Sequence, residues 1–372
     1  MANNIVPANP LETKEIMGRR LRSARVMAGL SMEELSAAME QQGKKSVSKQ
    51  AISKFEKGVM APDAETLAVL CQVLKRDRDY FYKPFMVDAD NFKVCFRKKS
   101  GVSAKAEEAL KTSVLDATER YLEVEQMFDI RSEFVNTFSR EIVSTLDNIK
   151  ERAREVRRYC GLAEDAPIPN VQALAEQLGI RVIYVSEDLK VDGLSGWANE
   201  KVPIIVLNDK VEHSERLRLT TAHELCHVLF NDCIDASIGE KERETYCQVF
   251  ANEFLLPEEV FLSYLGEDCR VLSLREPIPL QQMYGISIDA MIKRAYQLGI
   301  INESRYRGFF VNVRMNKSFG NYAQQSRYYE ERSNRFVSLV YRALASGMIS
   351  LPQAGRLLQK EEKEIDREKN FV

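Results

Sequence analysis

The sequence is poor in the features that cross-link chains or anchor them in lipid. Seven cysteines in 372 residues are sparse and odd in number, which predicts reduced thiols in a cytoplasm rather than a disulfide framework. No run approaches 18 uninterrupted apolar residues, so no transmembrane helix is expected. Met1 to Glu15 lack a basic segment followed by an apolar one, so no secretion signal is expected either. With 17 glycines and 11 prolines the chain is not collagen-like, and 45% hydrophobic content is too high for a disordered one. The formal net charge is only −2, so overall charge points to no partner. Histidine occurs three times in the whole chain, which makes its placement informative.

What is present is unevenly distributed. A length of 372 residues predicts two or three domains. From Lys14 to Lys57 ten basic residues face five acidic ones, a segment of about +5 in a chain that totals −2. A basic N-terminal module on a slightly acidic body is the asymmetry of a nucleic-acid binder, although a solvated helical surface has the same look. Residues 14–82 read as short helices. Ser31 with Glu34 forms a capping box, Ser48 caps the next helix, and Gly58 ends it. Residues 103–159 are charged and helical in period, without Pro or Gly, and predict an extended helical connector. Beyond Pro167 a helix ends at Gly179. Two β-rich runs follow, Arg181–Ser186 and Pro203–Leu207, separated by Gly193, Gly196 and Trp197. Helical stretches at 213–230 and 240–255 come next, then a mostly helical remainder with a charge-dense tail.

Residues 223–227 read His-Glu-Leu-Cys-His in a segment without helix breakers. Positions i and i+4 share a helix face, so His223 and His227 can offer two imidazoles to one metal. Glu224 adjoins the first of them and is placed to act as a general base. Glu244, 17 residues after His227 on the next helix, can complete a two-His, one-Glu site with a fourth position open; Glu240 and Glu242 are the fallback carboxylates. The competing reading is a buried helix whose histidines are merely hydrogen-bonded.

With these residues in place, 170–257 resembles the ImmA/IrrE metallopeptidase domain. The matching pieces are Asp192-Gly193-Leu194-Ser195-Gly196, Pro203 to Asn208, Glu215-Arg216, Thr221-Ala222-His223-Glu224-Leu225 with His227, and Glu244-x-x-Cys247-Gln248-x-Phe250-Ala251 ending in Leu255-Leu256-Pro257. The resemblance implies Zn²⁺ on His223, His227 and Glu244, with Glu224 as the base. The sequence departs from the family at Cys226, where Gly is usual, and at Cys247 and Gln248, where Ala and Asn are usual. Cys226 stands three residues after His223, so its thiol can sit near the metal and respond to oxidation; a small residue needed for helix packing is the plainer explanation. His213 is expected at the start of the metal helix.

Residues 16–82 resemble the Xre or phage-repressor type of helix-turn-helix, through Gly18-x-x-Leu21-Arg22, Gly29-Leu30-Ser31-x-Glu33-Glu34-Leu35, Val47 to Gly58, and Pro62-x-x-x-Thr66-Leu67. In that family the third helix enters the major groove N-terminus first. The resemblance puts Ser48, Lys49, Gln50, Ser53 and Lys54 at the DNA, with Val47, Ile52 and Phe55 in the core. Gln50 suits adenine, and Lys49 suits guanine or phosphate. Met32 replaces a frequent Gln, and Glu40 to Ser46 is longer than the usual turn; its Lys44 and Lys45 are expected to touch phosphate.

The expected fold is mainly α with a small β-sheet. Its parts are a helix-turn-helix domain (1–85), a helical connector (86–160), an α+β zincin-like peptidase domain (161–275) and a helical C-terminal region (276–372). The expected function is a cytoplasmic, dimeric, operator-binding regulator of mobile-element or stress-response type. Its zinc endopeptidase would cleave a repressor-type protein, in cis or in a partner, with strand Pro203–Leu207 holding the substrate by strand addition and no membrane involved. Alternatives are a ligand-sensing transcription factor with a non-cleaving peptidase fold, and an antitoxin-like regulator.

Overall fold

A computed structural model describes residues 10–42, 47–88, 91–94, 103–130, 134–186, 191–266 and 275–369. The chain divides into two compact units. The first comprises Met1–Phe92, Lys98–Arg131 and Val337–Val372; the second comprises Lys93–Arg97 and Ser132–Phe336.

The first unit begins with α1 (Pro10–Met27), α2 (Met32–Gln41), α3 (Lys49–Glu56) and α4 (Ala64–Leu74). Local capping sets their starts. The Glu34 N–H donates to Ser31 Oγ at 3.1 Å and the Ser31 N–H returns a bond to the Glu34 carboxylate at 2.6 Å, the reciprocal box read in the sequence. Ser48 accepts from the Ala51 N–H and Asp63 from the Thr66 N–H. Leu21, Leu35, Ile52, Phe55, Leu67 and Leu70 form the common core. After a 3₁₀ turn at Asp79–Tyr82, α5 (Ala104–Met127) closes over α1. Arg20 donates to Glu119 at 2.6 Å with both side chains buried, and Glu119 also accepts from the Met86 N–H at 2.7 Å.

The second unit contains a four-stranded sheet: β1 (Lys93–Val94), β2 (Arg181–Val185), β3 (Gly193–Ala198) and β4 (Val202–Asn208) in the order β1-β3-β4-β2. β2 runs parallel to β4, and β3 is antiparallel to both neighbours, with Ser195 opposite Ile205. Around the sheet and beyond it lie α6 (Leu146–Tyr159), α7 (Val171–Gln177), α8 (Ser214–Phe230), α9 (Glu240–Leu255), α10 (Glu258–Leu265), α11 (Pro277–Tyr284), α12 (Ile288–Gln297), α13 (Glu303–Met315) and α14 (Lys317–Gln324). α8 packs on β3 and β4, and α9 packs between α8 and α6. The chain then returns to the first unit through α15 (Arg335–Ala345), α16 (Leu351–Leu358) and α17 (Glu362–Glu368).

The fold class is mainly helical with a small sheet, as expected, and three local readings change. Residues 103–159 are not one helical connector, because the chain leaves the helix after Met127 and re-enters at Leu146. Val143 pairs with Ile234 in a parallel bridge there, its N–H donating to Cys233 O at 2.8 Å. That β-branched residue is worth more bridging to another segment than extending a helix. The break read at Gly193, Gly196 and Trp197 is itself a strand, β3. Finally, Pro203–Leu207 offers no edge for strand addition, since β4 lies between β2 and β3. Among the described residues, β1 pairs with Gly196 and Trp197.

Candidate metal centre and nucleic-acid interface

The candidate metal centre is assembled by two packed helices. On α8, His223 is buried and His227 half-buried, one turn apart, with ring centroids 5.0 Å from each other. Their Nε2 atoms converge to 3.2 Å. From α9, the half-buried Glu244 brings Oε2 to 3.2 Å of His223 Nε2 and Oε1 to 3.4 Å of His227 Nε2. Ligand atoms bonded at 2.0–2.1 Å in a tetrahedron stand about 3.3 Å apart. Each imidazole thus meets its own carboxylate oxygen at close to that spacing, and two imidazoles with one carboxylate are a donor set that fits a divalent ion. Glu240 and Glu242, exposed in the first turn of α9, lie outside this cluster, and His213 is the exposed N-cap residue of α8.

Cys247 is a further candidate ligand by proximity, within 4.8 Å of both imidazoles. Its Sγ lies 3.6 Å from His227 Nδ1, the ring nitrogen opposite the one that meets Glu244. The thiol therefore orients the imidazole from behind, as outer partners of metal-binding histidines do. Cys226 hydrogen-bonds Cys247 and lowers its pKa, and with His227 it outweighs burial to bring that thiol down to about 5. Burial pulls His227 down, but Cys247 and Glu244 outweigh it and push the imidazole up to about 10. Burial drives the Cys226 thiol well upward.

Glu224 points from α8 toward the sheet. Its Oε2 accepts a hydrogen bond from Ser195 Oγ of β3 at 2.8 Å, both side chains being buried. The close approach of β3 to α8 depends on Gly193, where a Cβ would meet Thr220 Cγ2 at 2.6 Å and Val206 O at 2.8 Å. Ser195 was read in the sequence only as a motif member, and Cys247 as a motif member that departs from the family pattern. A serine set between two strand glycines was the available signal for the first. Nothing in the spacing signalled the second.

In the first unit, α3 displays the residues read for DNA contact. Ser48, Lys49, Gln50 and Lys54 are exposed and Ser53 is half-buried, while Val47, Ile52 and Phe55 are in the core. The side chains of Gln50 and Lys54 make no hydrogen bond or ion pair among the described residues, whereas Lys49 pairs with Glu33 of α2. Arg25 clamps Glu56 with two bonds at 2.5 and 2.9 Å, which fixes the end of α3 against α1. Lys44 and Lys45 lie outside the described residues.

Comparison with known families agrees with both halves. Residues 21–81 match the helix-turn-helix model, and residues 175–296 match the IrrE N-terminal-like domain of peptidase family M78. No curated protein matches the chain. No helix among the described residues is long and apolar enough to cross a membrane.

Proposed function

We propose that this fusion of a DNA-binding helix-turn-helix with a metallopeptidase-family domain is a transcriptional regulator that hydrolyses a peptide bond in a repressor-type protein, in its own chain or in a partner. The observation that carries the hydrolytic reading is Glu224, a buried carboxylate next to His223 that Ser195 holds at 2.8 Å. A site serving only structure has no use for a carboxylate fixed beside the metal ligands in this way. Zn²⁺ is the ion that two imidazoles and one carboxylate favour, and it supplies Lewis acidity toward a carbonyl and makes water a better nucleophile at neutral pH. His223, His227 and Glu244 hold it. Glu224 takes the proton of the attacking water and passes it to the leaving amine. Ser195 keeps that carboxylate in one rotamer. DNA is read by Gln50, Lys49, Ser53 and Lys54 from α3, with Ser48 and the preceding Lys44 and Lys45 on phosphate, by a homodimer on a palindromic site in the cytoplasm. A link to stress responses accords with inducible removal of a repressor.

Glu224→Gln tests the reading. The variant is expected to keep its metal and its DNA affinity while losing about 10²–10⁴-fold in cleavage rate, and a reporter should stay repressed. Wild-type regulation by this variant would show that no proton transfer at Glu224 is involved. His223→Ala with His227→Ala is expected to abolish metal retention, read by elemental analysis of the purified protein.

A further inference from the structure

The proposed hydrolysis leaves the far end of β3 unused. Successive residues of a strand face opposite ways, so Gly193, Ser195 and Trp197 share the face that α8 covers. Two contacts set the register along that face. A Cβ at Gly193 would meet Thr220 Cγ2, and Ser195 Oγ donates to Glu224. Two strand residues, about 6.6 Å, thus match four helix residues, about 6 Å. One more such step sets Trp197 level with residues 227 and 228, the turn of α8 that carries the second imidazole. β3 pairs with β4 without interruption over Gly193–Ala198, so no bulge breaks the alternation. Trp197 accordingly packs against the core cluster that includes Val228 and Leu229.

Trp197 is the only tryptophan in the chain, and it is not sealed. The ring is half-buried. Its indole N–H makes no hydrogen bond among the described residues, whereas a buried indole usually finds an acceptor. Its neighbour is Phe134, also half-buried and edge-on, with ring centroids 5.5 Å apart at 69°. Phe134 is held at the same end of α8. Two residues on, Asn136 Nδ2 donates to Leu229 O at 2.6 Å, and Phe138 packs on Phe230. The nearby rings that serve the core alone, Phe138, Phe230, Phe250 and Phe254, are all buried. Pockets for apolar groups are lined by aromatic side chains beside a few placed polar ones. Here the half-open pair supplies the lining, and Glu224 with the metal-binding residues supplies the polar groups.

We infer that Trp197 and Phe134 form the subsite for a large apolar side chain next to the scissile bond. The substrate class is then a peptide segment with a residue such as phenylalanine or leucine at that position. This rests on the hydrolytic reading above.

The test titrates the zinc-loaded full chain with hydroxamates, which anchor on a metal and place one side chain beside it. Two series cover the two sides of the bond: N-acetylated amino-acid hydroxamates and 2-substituted succinyl hydroxamates, each bearing benzyl, isobutyl or methyl. Acetohydroxamate serves as the anchor alone. In one series benzyl and isobutyl are expected to bind about tenfold or more tighter than methyl. They should also change the emission of the single tryptophan, which acetohydroxamate leaves unchanged. Trp197→Ala and Phe134→Ala are expected to keep zinc and acetohydroxamate affinity while that preference shrinks to about threefold or less. Trp197→Phe should retain it. If no hydroxamate binds the loaded protein, the hydrolytic reading falls and the subsite with it. If all bind without side-chain preference, or if both alanine variants keep the preference, the subsite alone is overturned. The emission change needs no variant, and its absence on saturation with the preferred probe overturns the subsite as well.

Discussion

Ser195 and Cys247 each touch a residue of the centre from behind, and each makes a separate prediction. Ser195→Ala removes one hydrogen bond to a buried carboxylate, a contribution of about 1.5 kcal/mol, so cleavage is expected to fall about tenfold while metal content stays unchanged. Loss of metal together with activity would assign Ser195 to the ion instead. Cys247→Ala removes the sulfur at His227 Nδ1 and is expected to weaken metal binding about 10–100-fold, measured by competition with a chromogenic chelator. The facing of His223 and His227 was legible in the sequence because one helical turn fixes it locally. The contacts of Ser195 and Cys247 were not, because they join positions 29 and 20 residues apart through the packing of β3 and α9 on α8. Cys226 and Cys247 stood out separately as departures from the family pattern, and their contact appears only when α8 and α9 are set side by side.

At the level of elements, α8 is anchored near its start and packed against β3 farther along, and that has measurable consequences. Near its start, Glu215 accepts bonds from Gln281 Nε2 and the Arg327 N–H, both at 2.9 Å, and from Ser326 Oγ at 2.6 Å. Burial raises its pKa, but these bonds outweigh it and hold the carboxyl below the usual range. A carboxyl whose folded pKa is depressed stabilises above its unfolded pKa, near 4.3, and that stability is lost as pH falls through the lower folded value. Glu215→Gln is thus expected to cost about 1.5–3 kcal/mol near neutrality, and the difference from wild type should shrink below about pH 4.3. Urea titrations at several pH values measure both. Gly193→Ala tests the strand side. The new methyl would meet Thr220 and the Val206 carbonyl, so β3 must shift, at about 1–3 kcal/mol, and cleavage should fall along with stability. The same crowding explains why β3 was illegible. Its glycines weaken strand propensity in the sequence, yet Gly193 admits α8, and at Gly196 a Cβ would lie 2.5 Å from the Lys93 carbonyl. Helices with strong caps, such as α2 and α3, were legible because their boundaries are set by neighbours in the chain.

For the whole molecule, the charge asymmetry of the sequence becomes a statement about DNA. Gln50→Ala is expected to relax sequence preference, whereas Lys44→Ala should weaken all sequences and reduce the salt slope by about 0.9 per lost phosphate contact, both read by titration at several salt concentrations. Equal loss on specific and random DNA for Gln50→Ala would contradict the assigned facing of α3. The division into units has a different kind of consequence. The DNA-binding unit is built from Met1–Phe92, Lys98–Arg131 and Val337–Val372, with about two hundred residues of the other unit between its last two pieces. A chain emerging from the ribosome can complete the metal-binding unit first, because that unit's residues have all been made by Phe336. The helix-turn-helix core closes within Met17–Phe81, while the rest of that unit must wait for Val337 and beyond, including the Leu357 carbonyl that Arg120 holds. Domains otherwise tend to fold N-terminal first during synthesis. Here a nascent or prematurely terminated chain holds every residue of its second unit before the last piece of its first unit has been made.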